Sequence, residues 1–219
     1  MEKNNEIITL FESRSFVYKL FQSIFGNEPS AGLIDILAEP GVVTALALFE
    51  EDNDIYKNNL SDLIEMVKDY DITDLKREYT KLFIGPGRLP APPWESVYLS
   101  GEPVLLDENT LKVRRTYMEH GFIPEEYPHV ADDHLSLELD FMYVLSKKAQ
   151  NAYGLGTFDN VKAALAASKS FLDEHLLVWT PEFAAKLETK GSLYPKLAAL
   201  LVEFLKTDSL LVLEILDNI

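Results

Sequence analysis

At 219 residues the chain is long enough for one large domain with a sizeable core, and 47% hydrophobic with 26% charged content excludes a disordered polypeptide. Its 36 acidic against 20 basic residues give a net charge of −16, which repels nucleic acid and anionic lipid and favours cationic partners. There is no cysteine, so disulfides, thiol nucleophiles and thiolate metal sites are excluded.

The N-terminal residues Met1 to Asn5 are polar, and Glu6, Glu12, Arg14 and Lys19 interrupt the apolar positions that follow. No unbroken run suits a secretory segment or a membrane span, which needs about 20 apolar residues. We therefore expect a cytoplasmic protein without stable membrane insertion. Ile7, Ile8, Phe11, Val17, Leu20, Phe21, Ile24 and Phe25 follow helical spacing up to Gly26, a plausible stop. Helical stretches are expected next at about 29–38, 41–50, 54–69, 72–83 and 107–120. Another should run from Asp132 to about Ala152, and the next over about 158–178. Thr180-Pro181 reads as an N-cap followed by proline at the first helical position, which predicts helices at about 182–190 and 193–206 and a last one from Asp208. The fold class is all-α, with about ten helices, no strands and no repeat.

Two segments break this rhythm. Gly85 to Pro93 carries four prolines, which hold the chain extended. Residues 122–131, with Pro124 and Pro128, form a second loop and an expected hinge between halves of about 1–121 and 132–219.

Charge is unevenly distributed. Between Arg115 and Lys147 there is no lysine or arginine, while Glu119, Glu125, Glu126, Asp132, Asp133, Glu138 and Asp140 fall there. From Leu89 to Leu111 there is again no base, against Glu95, Glu102, Asp107 and Glu108. Such a region suits a guanidinium-bearing ligand, because carboxylates accept forked arginine bonds; it is equally the pattern of a solvated acidic face. In a helix starting at Asp132, Asp133 falls on the polar stripe with Ser136, Asp140, Tyr143 and Lys147. His134 and Glu138 fall within the apolar arc, one turn apart. This pair is either a satisfied tie to a neighbouring helix or the floor of a ligand cleft with Asp132 and Asp133 at its rim. Their spacing also allows a metal-dependent all-α enzyme, although only His120, His129 and His175 remain as further imidazoles and no His-Glu-x-x-His run occurs. There is no Gly-x-Ser-x-Gly elbow, and Gly85-Pro86-Gly87 lacks the Lys-Ser/Thr of a phosphate loop.

Tyr79, Leu82, Phe83, Trp94 and Tyr98 bracket the proline loop, so aromatic and leucine side chains stand beside extended backbone, a surface suited to apolar peptide segments. Leu82 and Phe83 are equally explained as core.

Together, Tyr79-Thr-Lys-Leu-Phe-Ile-Gly-Pro86, Pro92-Pro93-Trp94-Glu-Ser-Val-Tyr98 and Asp132-Asp133-His134-Leu-Ser-Leu-Glu138-Leu-Asp-Phe141-Met142 resemble the TorD/DmsD family. These are cytoplasmic maturation chaperones of exported molybdenum enzymes. Phe171-Leu-Asp-Glu-His175-Leu-Leu-Val-Trp179 is similar to the family's His-x-x-x-Trp segment, and the resemblance spans roughly residues 7–206. It implies an all-helical protein without catalytic activity or a cofactor of its own. Such a protein binds the twin-arginine signal peptide of a client reductase, delays its export and assists molybdopterin insertion. The implied partner is the catalytic subunit of a DMSO or TMAO reductase-like enzyme, and the implied state is a monomer or domain-swapped dimer. Carried onto matching positions, the resemblance implies a peptide site of Leu82, Phe83, Pro93, Trp94, Asp133 and His134, supported by Glu138; Tyr98 and Asp132 join it from the residue reading. Ala131 departs from the family, where proline often stands. The alternatives are a helical interaction module for another protein surface and the metal-dependent enzyme using His134 and Glu138.

Overall fold

The computed structural model describes residues 2–49, 54–68, 70–100, 107–125 and 127–218. The chain forms α1 (Glu2–Gly26), α2 (Ala31–Ala38), α3 (Pro40–Ala47), α4 (Asp54–Val67) and α5 (Ile72–Tyr79), the last continued by a π turn at Thr80–Ile84. Then come α6 (Glu95–Leu99), α7 (Glu108–Glu119), α8 (Leu135–Gly154), α9 (Phe158–Phe171), a second π turn at Leu172–Leu176, α10 (Leu177–Leu187) and α11 (Leu193–Asn218). No strand occurs among the described residues, and none of their helices is long and apolar enough to cross a membrane.

The long helices form the frame: α1 lies along α8, α8 along α9, α10 along α11, and α11 against α4. Buried residues on both sides of the 122–131 loop, from Val17 to Leu205, share one core. Aromatic rings hold its middle. Phe25 of α1 meets Phe83 at 6.1 Å, Phe183 of α10 at 5.9 Å and Tyr194 of α11 at 6.0 Å. A smaller cluster of Phe11, Ala149, Val161, Leu165 and Val212 closes the other end of α1.

Two buried polar devices fix helix positions. Arg14 of α1 forks onto Asp208 of α11, and Tyr18 donates to the same carboxylate at 2.5 Å. Glu78 of α5 accepts from the amides of Ser192, Leu193 and Tyr194 at 2.8, 3.1 and 3.0 Å, so it satisfies the orphan donors opening α11. Glycine decides one further approach: a Cβ on Gly26 would stand 2.8 Å from Ser136 Cβ. The bare backbone there lets the end of α1 press against the first turn of α8.

Four expectations change. The helix expected from Asp132 begins at Leu135, with His134 as its N-cap. Thr180-Pro181 starts no helix; Pro181 lies inside α10, and Thr180 Oγ1 donates to the Leu176 carbonyl at 2.7 Å. The break expected before Asp208 is absent because that residue is buried within α11 against Arg14 and Tyr18. The short α6 was hidden by its proline-rich approach. Expected helix ends at residues 50 and 69, and the acids Glu102 and Glu126, lie outside the described residues.

Candidate functional site

The proline loop and the start of α8 are sewn together by backbone. Trp94 and His134 form an isolated antiparallel bridge, in which Glu95 N donates to Asp133 O at 3.0 Å and Leu135 N to Pro93 O at 2.9 Å. The pairing sets the half-buried Trp94 and His134 rings edge to face, with centroids 5.2 Å apart. His134 Nδ1 accepts from Ser136 N at 3.1 Å, so the proton of the neutral ring sits on Nε2. Burial lowers the imidazole to about 4, which keeps it uncharged at neutral pH.

Beneath this platform lies a cluster of buried carboxyls. Asp133 is fully buried and accepts from Ser96 N at 2.9 Å and Thr110 Oγ1 at 3.0 Å, tying the openings of α6 and α7 to α8. Asp132, 2% exposed, takes Arg114 through Nε at 2.7 Å and Nη2 at 2.6 Å. Tyr117 donates to its carbonyl at 3.0 Å. Glu138 accepts from Trp179 Nε1 at 3.1 Å, and Glu95 pairs with His175 Nδ1 at 3.0 Å. Loss of water at Glu138, followed by the charges of Glu95 and Asp133, pushes its carboxyl well above the ordinary value; the Trp179 bond acts the other way. A proton on Glu138 turns repulsion from Glu95 into a hydrogen bond. Tyr117 is likewise raised well above its usual value by burial and then by Glu138, Asp132 and Asp133.

Among the described residues no group of three or more histidines, aspartates or glutamates is placed to hold a metal ion. What the cluster can do is set the shape and field of the Trp94–His134 platform, since nearly every polar atom in it is turned inward.

A family model described as nitrate reductase delta subunit matches residues 49–185, which include every residue of this platform and cluster. A probable Tat proofreading chaperone DmsD from Haemophilus influenzae is 30% identical over 86% of this chain and 86% of its own length. The chain belongs to the TorD/DmsD family. Other relatives of this chaperone family include the chaperone protein TorD of Vibrio parahaemolyticus, 24% identical over 93% of this chain and 96% of that protein. A crystal structure assigned to redox enzyme maturation in Archaeoglobus fulgidus superposes with a TM-score of 0.51 and 26% identity, covering 88% of this chain and 93% of that one. The family consists of chaperones for redox-enzyme maturation, not enzymes.

Set on this TorD/DmsD fold, the sequence-derived residues divide by exposure. Trp94, Tyr98 and His134 are half-buried and reach the surface, and Lys186 Nζ stands 4.2 Å from the Tyr98 ring centroid. Pro93 is buried in the stitch. Leu82 is fully buried and belongs to the core; Phe83 is half-buried and packs against it, with Tyr79 at 5.3 Å and Tyr194 at 5.1 Å. Asp133, expected on the solvent stripe, is inside, because the helix that would have aimed it outward starts two residues later. The expected His134–Glu138 pair is also corrected: as N-cap, His134 turns to Ser136, and Glu138 finds Trp179 on α10. Reading the sequence missed Thr110, Arg114, Tyr117 and Ser96. Each lies 15 to 37 positions from its partner, a separation that leaves no local pattern.

Proposed function

We propose that this chain binds the twin-arginine signal peptide of a molybdopterin-containing oxidoreductase in the cytoplasm. In doing so it delays export of the client's catalytic subunit and holds it for cofactor insertion and folding. The client would be DMSO or TMAO reductase-like. The observation that carries this reading is the Trp94–His134 platform, stitched to α8 and set in a strongly acidic chain whose relatives include Tat proofreading chaperones.

In this reading Trp94, Tyr98 and His134 touch the peptide. Leu82, Phe83, Pro93, Asp133 and Glu138 are positioning residues that hold those rings in place. Asp132 is already occupied by Arg114 and acts through it, and the net charge of −16 draws a cationic segment in from solution. Calorimetric titration with a peptide carrying two consecutive arginines and an apolar run tests it. Saturable binding that weakens as salt rises from 50 to 500 mM (about the range over which a Debye length shrinks severalfold) is expected. No binding at low salt contradicts the reading.

A further inference from the structure

In the proposed function the apolar part of the peptide finds only a partial receptor at the platform, because Leu82 is buried in the core and Phe83 is half-buried against it. A second surface offers one. The end of α7 and the loop after it enclose an open cavity of about 210 Å³. Tyr117 and Phe122 form its floor, edge to face at 4.9 Å, and Met118, Ile123 and Tyr127 line it while standing 71, 77 and 47% exposed. Other large apolar side chains are exposed elsewhere, Leu155 and Leu210 among them, but here three surround one concavity, as at a binding site.

The other end of the cavity is charged. Arg114 and Asp132 line it, and the Arg114 guanidinium lies 5.2 Å from the Tyr127 ring centroid while two of its nitrogens contact Asp132 Oδ2. A carboxylate and an aromatic face thus already hold a guanidinium beside the apolar walls. Glu119 and Glu125, sequence neighbours of Met118 and Pro124, are exposed, and no lysine or arginine occurs from residue 116 to 146. The cavity is therefore apolar at its centre, closed at one end by the Arg114–Asp132 pair and flanked along the chain by two exposed acids.

We infer that this cavity receives one leucine- or phenylalanine-like side chain from a peptide whose neighbouring residues carry guanidinium groups. The size fits, since a cavity of roughly 150 Å³ already accepts a benzene ring. The inference rests on the twin-arginine reading and deepens it: the arginines lie against the acidic rim, and the apolar residue that follows them enters between Met118 and Ile123.

The test uses the full chain, its Met118→Ser/Ile123→Ser variant and two synthetic peptides. One peptide has two arginines followed by Phe-Leu, and the other has Ser-Ser in place of Phe-Leu. Both substituted side chains are exposed, so the variant should melt with the wild type. Its affinity for the Phe-Leu peptide should fall about tenfold or more, as burial of one such side chain warrants. Its affinity for the Ser-Ser peptide should match that of the wild type. Equal binding of the Phe-Leu peptide by wild type and variant overturns the cavity assignment while the proposed function stands. A wild type that binds neither peptide overturns both. A variant that changes only the oligomeric state, measured by sedimentation, makes this face a contact between copies and also overturns the assignment.

Discussion

The carboxyls decide most at the level of single residues. Asp133 looks from its sequence like a rim acid, yet both its oxygens are engaged inside the protein. Asp133→Ala leaves the Ser96 amide unsatisfied and should cost about 1–3 kcal/mol in chemical denaturation. Asp133→Asn can keep an oxygen on Ser96 N and donate to Thr110 Oγ1, so it should retain most of that stability; equal losses for the two variants would contradict this geometry. Glu138 and His134 respond to pH in opposite senses. Glu138 is raised by burial and by Glu95 and Asp133, so its contribution is full below its ordinary value of 4.5 and is lost as pH rises through its folded value. His134 is lowered by burial to about 4, so its contribution is full above 6.5 and drains as pH falls toward 4. Glu138→Gln removes the first effect and keeps an acceptor for Trp179. Urea denaturation at pH 6 and pH 8 should show the wild type losing stability at the higher pH relative to this variant. Parallel behaviour would mean that Glu138 is ionised in the fold. An NMR titration should find the His134 ring neutral at pH 5.5, and a midpoint near 6.5 would contradict its burial.

Helices and their contacts explain which parts of the fold were legible in the sequence. The stretches behind α1, α2, α4 and α7 show helical spacing and their ends fall within a few residues of expectation, because local periodicity and stop residues suffice there. Pro181 misled, since proline at a helix start and proline tolerated next to a π turn look alike in sequence. Asp208 misled for a different reason: its partners Arg14 and Tyr18 lie about 190 residues away, so a mid-helix aspartate read as a boundary. The site's ring pair, Trp94 with His134, was legible as two segments, but their bridge depends on backbone pairing 40 residues apart. Contacts between helices also give a prediction. Gly26 lets α1 abut Ser136, the partner of the His134 cap, and Gly26→Ala would drive a Cβ into that residue. Overpacking of this kind costs about 1–3 kcal/mol, outweighing the better helix propensity of alanine. The variant should melt lower, with altered tryptophan emission as the Trp94 platform moves; an unchanged melting point and spectrum would show that the two helices separate freely. Glu78→Ala, which uncaps α11, should lose about 1–3 kcal/mol by the same measurement.

Across the whole molecule, an all-α frame with one shared core carries an acidic surface and an inward-turned carboxyl cluster. Composition made the acidity legible, but it could not tell which acids face water: Asp132, Asp133, Glu95 and Glu138 are buried, whereas Glu119 and Glu125 are exposed. Long-range attraction therefore comes from the total charge, and selectivity must come from the few groups at the surface. Arginine and lysine carry the same charge, but only the guanidinium offers several N–H groups in one plane with a flat face beside them; Arg114 sets Nε and Nη2 on Asp132 Oδ2 and lies 5.2 Å from the Tyr127 ring centroid. The most direct measurement compares binding of one signal-like peptide in twin-arginine and twin-lysine form at a single salt concentration. The account predicts a loss of about tenfold or more for lysine, roughly the worth of a charge-assisted forked bond. Equal affinity for the two peptides would contradict it.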